Sequence, residues 1–110
     1  MPGLFELTRA ASGQYHFSLK AGNGEKILSS EMYESKASAE KGIASVQTNS
    51  THAERFEKLE ASNGKHYFTL KAANHQVIGT SQMYATAASR DAGIASVQSN
   101  GATTEVKDLT

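Results

Sequence analysis

The chain has 110 residues, no cysteine, and eleven basic side chains against eleven acidic ones. That length makes one domain with its own core, and the missing cysteines exclude a disulfide framework, a thiolate metal site and a cysteine nucleophile. The neutral balance argues against a protein dominated by nucleic-acid binding, whose usual footprint is a basic surplus.

Met1 to Glu6 carries neither a basic region nor an apolar run, so no signal peptide is read there. No stretch approaches a membrane span, and a soluble cytoplasmic protein is expected. A first short strand falls at Phe5–Arg9 and a turn at Ser12-Gly13. From Gln14 to Ala21 the pattern alternates: Tyr15, Phe17, Leu19 and Ala21 share one face, and His16, Ser18 and Lys20 the other. That is a half-buried strand. Asn23-Gly24 is a hairpin turn, since both residues tolerate positive φ, and it leads into Glu25-Lys26-Ile27-Leu28.

The chain then leaves the sheet through Met32-Tyr33 into a helix. Ser35 is the expected N-cap, because its hydroxyl accepts from exposed first-turn amides. Ala39, Gly42, Ile43 and Val46 mark one helical face, and Asn49 suits a left-handed residue that ends the helix. A glycine inside a helix costs about 1 kcal/mol against alanine, so Gly42 predicts a close backbone approach. Ala53-Glu54-Arg55 follows at the place of a further short strand.

The chain then repeats itself. Phe56-Glu57 answers Phe5-Glu6, and the correspondence runs without a gap to the second Gly-Ile-Ala-Ser-Val-Gln at 93–98. About half of the aligned positions are identical, so one unit is used twice. The second copy brings a strand at Phe56–Glu60, an Asn63-Gly64 turn and a strand in which Phe68, Leu70 and Ala72 point inward. Asn74-His75 replaces Asn23-Gly24, which predicts a looser turn before Gln76-Val77-Ile78. A second helix capped by Thr86 carries Gly93, Ile94 and Val97, with Arg90 in place of Ala39 and Asn100 at its end. The tail Thr103–Leu109 reads as one more strand.

Leu, Ile, Val and Phe make up about 17% of the chain. That is below the roughly 20% associated with folded chains, but the high net charge of disordered chains is missing. Ala and Gly must therefore fill much of the interior. Units of about 50 residues are marginal alone. The copies, 4–53 and 54–110, are expected to share one core within a single domain 1–110.

Phe-x-Leu-Lys-Ala-x-Asn at 17–23 and 68–74, the doubled Gly-Ile-Ala-Ser-Val-Gln-x-Asn, and the ending Val106-Lys107-Asp108-Leu109-Thr110 resemble the YegP-like family of small bacterial proteins. The resemblance covers nearly the whole chain. It implies an α+β fold of two β-β-β-α-β units in one mainly antiparallel sheet, two helices packed on one face, and C-terminal strands exchanged between the units. It also implies that single-copy relatives dimerise, so the tandem chain is expected to be a monomer that mimics such a dimer.

The family motifs name no chemistry, and neither do the side chains. The four histidines, His16, His52, His66 and His75, form no helical pair and no His-Glu motif. Gly22-Asn23-Gly24 lies between strands, not ahead of a helix, so it is a turn and no phosphate cradle. No Gly-x-Ser-x-Gly elbow and no paired-carboxylate site is present. No catalytic, cofactor or metal residue is nominated. The order Tyr15-His16 is reversed in His66-Tyr67, which breaks the symmetry of the copies at one sheet position. The candidate binding face is the outward strand surface with His16, Lys20, Tyr67 and Lys71. The reading is a non-enzymatic binding or protein-interaction module with a pseudo-twofold surface. A single-stranded nucleic-acid binder through that basic, aromatic face is the alternative. An enzyme with a site between the repeats ranks last.

Overall fold

A computed structural model describes residues 3–110. Seven strands and two helices follow one another: β1 (Leu4–Arg9), β2 (Tyr15–Lys20), β3 (Lys26–Ser29), α1 (Lys36–Asn49), β4 (Phe56–Glu60), β5 (His66–Lys71), β6 (Val77–Thr80), α2 (Ala87–Asn100) and β7 (Val106–Asp108). They form one sheet in the order β4-β5-β6-β3-β2-β1-β7. Each copy is an antiparallel meander, and the two meanders join edge to edge where β3 meets β6.

The alternation in β2 and β5 decides which face carries the core. Phe17, Leu19, Phe68 and Leu70 are fully buried beneath the helices. They belong to one cluster with residues of both copies, including Phe5, Leu28, Ile43 and Val97. Each helix packs on strands of both units: α1 touches β2, β5 and β6, and α2 touches β5, β3 and β2. Neither copy therefore has a core of its own.

The helix starts follow the sequence. The Ser35 hydroxyl accepts from the Ser38 amide and the Thr86 hydroxyl from the Ser89 amide, both at 3.1 Å. The mid-helix glycines mark close approach to sheet side chains. A Cβ on Gly42 would stand 2.8 Å from Phe17, and one on Gly93 2.7 Å from Tyr84. Stacked Phe17–Tyr33 and Phe68–Tyr84 rings lie beneath these positions. The helix ends differ from expectation. Asn49 and Asn100 stay helical and donate back to the Ser45 and Ser96 carbonyls at 2.8 Å. The following caps, Ser50 and Gly101, are right-handed, with φ of −63° and −68°.

The pseudo-twofold axis passes between Ser29 and Thr80, repeat equivalents that pair with each other across β3 and β6. Beside it, Leu28 is buried and its equivalent is Gly79, where an added Cβ would stand 2.6 Å from Leu28 Cδ2. The equivalents Ser50 and Gly101 meet in the same manner at the helix ends.

The strand exchange runs one way. β7 of the second copy pairs parallel with β1 of the first, in the register Phe5↔Val106, Glu6↔Lys107, Leu7↔Asp108. Ala53–Arg55, expected as the matching strand, is a 3-10 turn whose end receives the Phe56 amide on the Ala53 carbonyl. The reason is topological. The residues equivalent to Val106–Asp108 are Arg55–Glu57, and their chain already runs into β4. Among the described residues nothing pairs with the outer edge of β4.

The Asn74-His75 turn, expected to be looser than its counterpart, takes the same form. Gly24 and His75 both donate to the carbonyl three residues back at 2.9 Å, and Asn23 and Asn74 accept from Glu25 and Gln76 at 3.0 Å. His75 is left-handed at φ 68°, where Gly24 has 85°. A side chain there costs about 1–2 kcal/mol, part of which glycine forfeits through its freer unfolded chain. His75→Gly should therefore stabilise the protein by about 0.5–1 kcal/mol, a rise of several degrees in Tm on the ~4–8 °C per kcal/mol scale of small domains. Thermal unfolding checks it; an unchanged or lower Tm would show that the turn carries no strain.

Candidate functional site

The four residues of the candidate face lie on the side of the sheet away from the helices, His16 and Lys20 on β2, Tyr67 and Lys71 on β5. Two strands separate the pairs. Three steps of about 4.8 Å put β2 and β5 roughly 14 Å apart, so the two halves of the face do not converge. A row of hydroxyls lies between them, with Ser18 opposite Ser29, Ser29 opposite Thr80, and Thr80 opposite Thr69. Lys20 is bound to Glu6 at 3.0 Å and Lys71 to Glu57 at 3.2 Å. Charge on this face therefore alternates and does not accumulate.

The Tyr-His reversal is matched by a change in the neighbouring strand. In the first copy Tyr15 is opposite Arg9, whose guanidinium lies 5.8 Å from the ring centroid. In the second copy the equivalent pair is His66 opposite Glu60. On the open face Thr8 is opposite His16, and Leu59 is opposite Tyr67. The Arg9 cation over the Tyr15 ring is a cross-strand contact of the kind that stabilises sheets, and the first copy has it where the second does not. The signal was visible in the sequence as differences along the first strand of each copy. His66 Nδ1 is buried with no hydrogen-bond partner among the described residues.

A second candidate site is formed by the outer edges of the two meanders, β1 and β4. On β1 the Phe5 amide donates to the Glu105 carbonyl at 3.0 Å, and the Leu109 amide to the Leu7 carbonyl at 2.8 Å. Gln47 reaches the Thr103 carbonyl at 2.8 Å. Lys36, in the first turn of α1, binds Asp108 at 2.6 Å. The Lys36 ammonium, with Thr110 after it, holds the Asp108 carboxyl well below the usual carboxylate range. The same bond raises the Lys36 pKa.

The β4 edge has different surroundings. Where β1 has the buried Leu7, β4 has Lys58, and where α1 has Lys36 and Ala39, α2 has Ala87 and Arg90. Lys58 and Arg90 share one carboxylate oxygen of Asp91, at 3.3 and 3.1 Å. Phe56 is half-buried where Phe5 is fully buried. An open cleft of about 460 Å³ lies at the start of the strand, lined by residues that include Arg55, Phe56, Lys71 and His75. A smaller one of about 240 Å³ lies between the copies, where Glu25 faces Tyr84 and Ser89. Glu25 is its one carboxylate, and its Oε1 accepts from Gln82 at 2.9 Å. Among the described residues no helix is long and apolar enough to cross a membrane.

Comparison with known proteins fits this architecture. A domain of unknown function, DUF1508, matches twice, at residues 10–57 and 61–108. The chain belongs to the DUF1508 family. It is 66% identical to the UPF0339 protein YegP of Escherichia coli K12 over 110 residues, the whole of both chains. It is 58% identical to a UPF0339 protein of Shewanella oneidensis, again over both full lengths. The solution NMR structure of E. coli yegP, described as a protein of unknown function, superposes with a TM-score of 0.95 at 65% identity. It covers 100% of this chain and 95% of that one. The solution NMR structure of the Shewanella protein gives 0.94 at 58% identity, covering 100% and 93%. These relatives carry no assigned activity. The YegP-like family, the α+β fold and the doubled unit are thereby established.

A group whose folded pKa is lowered stabilises the fold above its unfolded value and loses that contribution as pH falls through the folded value. For Asp108 the loss begins near 3.8 and continues downward. The Lys107 and Leu109 amide shifts should therefore move toward random-coil positions as pH falls below about 3.8. Lys36→Met should weaken β7 at neutral pH and shrink that acid-dependent step in an NMR titration, leaving the part held by the Thr110 hydrogen bonds. A step of undiminished size in Lys36→Met would assign it to another carboxylate.

Proposed function

We propose that the chain is a non-enzymatic protein-interaction module that takes up an extended segment of a partner along the outer edge of β4. One observation carries this reading. The same fold, in the same chain, already holds an added strand on the equivalent edge: β7 lies parallel on β1. The second copy presents that edge with no strand on it among the described residues. Strand addition draws affinity from main-chain hydrogen bonds and specificity from alternate side chains. A bare edge is otherwise a liability that proteins blunt with charge, and β4 carries three charged residues in five, Glu57, Lys58 and Glu60. Those charges limit indiscriminate pairing and leave selective pairing available. The lysines of the open face support nucleic-acid binding less well, because each is neutralised by a glutamate. Monomeric, cytoplasmic behaviour is part of the same reading.

By equivalence with Phe5 and Leu7, the backbone of Phe56 and Lys58 points away from β5. Proline at 58 removes an outward donor and leaves the β4–β5 ladder intact. Lys58→Pro should therefore fold, as checked by its NMR spectrum, yet lose partners that the unaltered chain captures from a bacterial extract. Lys58→Ala, which keeps the outward donor and removes only the cation, should retain more of them than Lys58→Pro. Equal capture by Lys58→Pro, or no capture by the unaltered chain under gentle conditions, would overturn the edge-docking reading.

A further inference from the structure

The β1 edge shows what a docked strand looks like, and the repeat correspondence transfers that picture to β4. Val106 is opposite Phe5, Lys107 opposite Glu6 and Asp108 opposite Leu7. On β4 the same three places are Phe56, Glu57 and Lys58. An incoming strand in the β7 register would set an apolar residue against Phe56, a basic one against Glu57 and an acidic one against Lys58. All three β4 groups are available for this. Phe56 is half-buried, and the Glu57 and Lys58 side chains are 47% and 56% exposed. Glu6, which lies beneath β7, is 18% exposed.

The third place is the most informative. In the first copy the acid of the docked strand is held by a cation on the helix, Lys36. In the second copy that position is Ala87, and the cation appears on the strand as Lys58, with Arg90 beside it. The receiving charge has moved but has not been lost. Lys58 and Arg90 have one carboxylate between them, that of Asp91. With Asp91 the two cations keep a net charge of one to offer a second acid, chiefly through Lys58, since the Arg90 side chain is 14% exposed. The equivalent acid in the first copy, Asp108, is 47% exposed, so the filter works through charge complementarity and like-charge repulsion at the edge, not through burial.

We infer that the β4 edge selects, in parallel orientation, a partner segment with apolar, basic and acidic residues in succession, the acid received by Lys58 and Arg90. This rests on the edge-docking reading above and specifies its partner. The test is a titration of the labelled full-length chain with two synthetic peptides, followed by NMR. One peptide has the sequence of residues 103–110, Thr-Thr-Glu-Val-Lys-Asp-Leu-Thr. The other is the same with Lys107 and Asp108 exchanged. The first should shift β4 amides and bind about tenfold more tightly than the second, a difference of ~1.4 kcal/mol. Lys58→Glu in the chain should cancel that preference, because each peptide then meets one match and one clash, and Glu57→Lys with Lys58→Glu should reverse it. Equal binding of both peptides at β4 would overturn the charge filter and leave edge docking standing. Binding of neither would overturn both. Shifts confined to β1 and β7 would place the peptide at the other end of the sheet, by displacing β7 or adding to its free edge, and would overturn the inference. Concentration-dependent mass without peptide, lost when residues 106–110 are removed, would give the edge to a second copy and also overturn it.

Discussion

Two repeated units with the same large side chain at the same place beside a twofold axis would crowd each other there, because each side chain would land on its own equivalent. The rest of this structure depends on how that conflict is resolved. Beside the axis Leu28 is buried and Gly79 leaves the space for it. At the helix ends Ser50 is fully buried against Gly101. A homodimer of one unit would carry the same residue at both members of each pair. Joining the units in one chain frees them to differ, and protein interiors are dense enough that one leucine more or less is felt. The seam then lets β3 and β6 pair, which aligns the two meanders into one sheet. Both helices lie across it and close a single core.

The second asymmetry follows from the connection itself. One chain cannot supply a free terminal strand from both units, because the end of the first is the beginning of the second. The one free terminus covers β1, where it is fixed by Lys36 and by main-chain bonds to Phe5 and Leu7. The opposite edge stays open and has a different composition. Leu7, buried in the core beside the added strand, corresponds to the exposed Lys58, and Ala39 to Arg90. These substitutions suit an edge in water and an edge that receives charge. The Tyr-His reversal is a difference of another kind. Its partners across the strand, Arg9 and Glu60, change with it.

Much of this was legible in the sequence, because local signals and tertiary packing agree. Period-two alternation in 15–21 and 66–72 gave β2 and β5 with the correct inward residues. Ser35 and Thr86 capped the helices as a hydroxyl ahead of a first turn should. Gly42 and Gly93 marked close contact with the sheet. What escaped was of two kinds, local hydrogen bonds that more than one conformation can satisfy and contacts set by long-range geometry. Asn49 and Asn100 find partners one turn back, so they have no need of a left-handed conformation. His75 keeps the turn because its neighbours fix the same hydrogen bonds as Gly24. Leu28 and Gly79 were visible as a mismatch in the alignment, but its meaning requires knowing that they face each other. The open β4 edge was hidden because Ala53–Arg55, expected as the covering strand, forms a 3-10 turn that leads straight into β4.

The claim that large-small complementarity at the seam governs the fold is tested by a denaturant-unfolding cycle on Leu28 and Gly79. Gly79→Leu alone should cost about 2–3 kcal/mol by overpacking, and Leu28→Gly alone about 3 kcal/mol or more by leaving a cavity. The reciprocal exchange of the two residues should recover most of both losses, a coupling of several kcal/mol against the ~0.5 kcal/mol scatter of independent sites. Additive losses in the exchanged protein, or a Gly79→Leu chain as stable as the original, would contradict it.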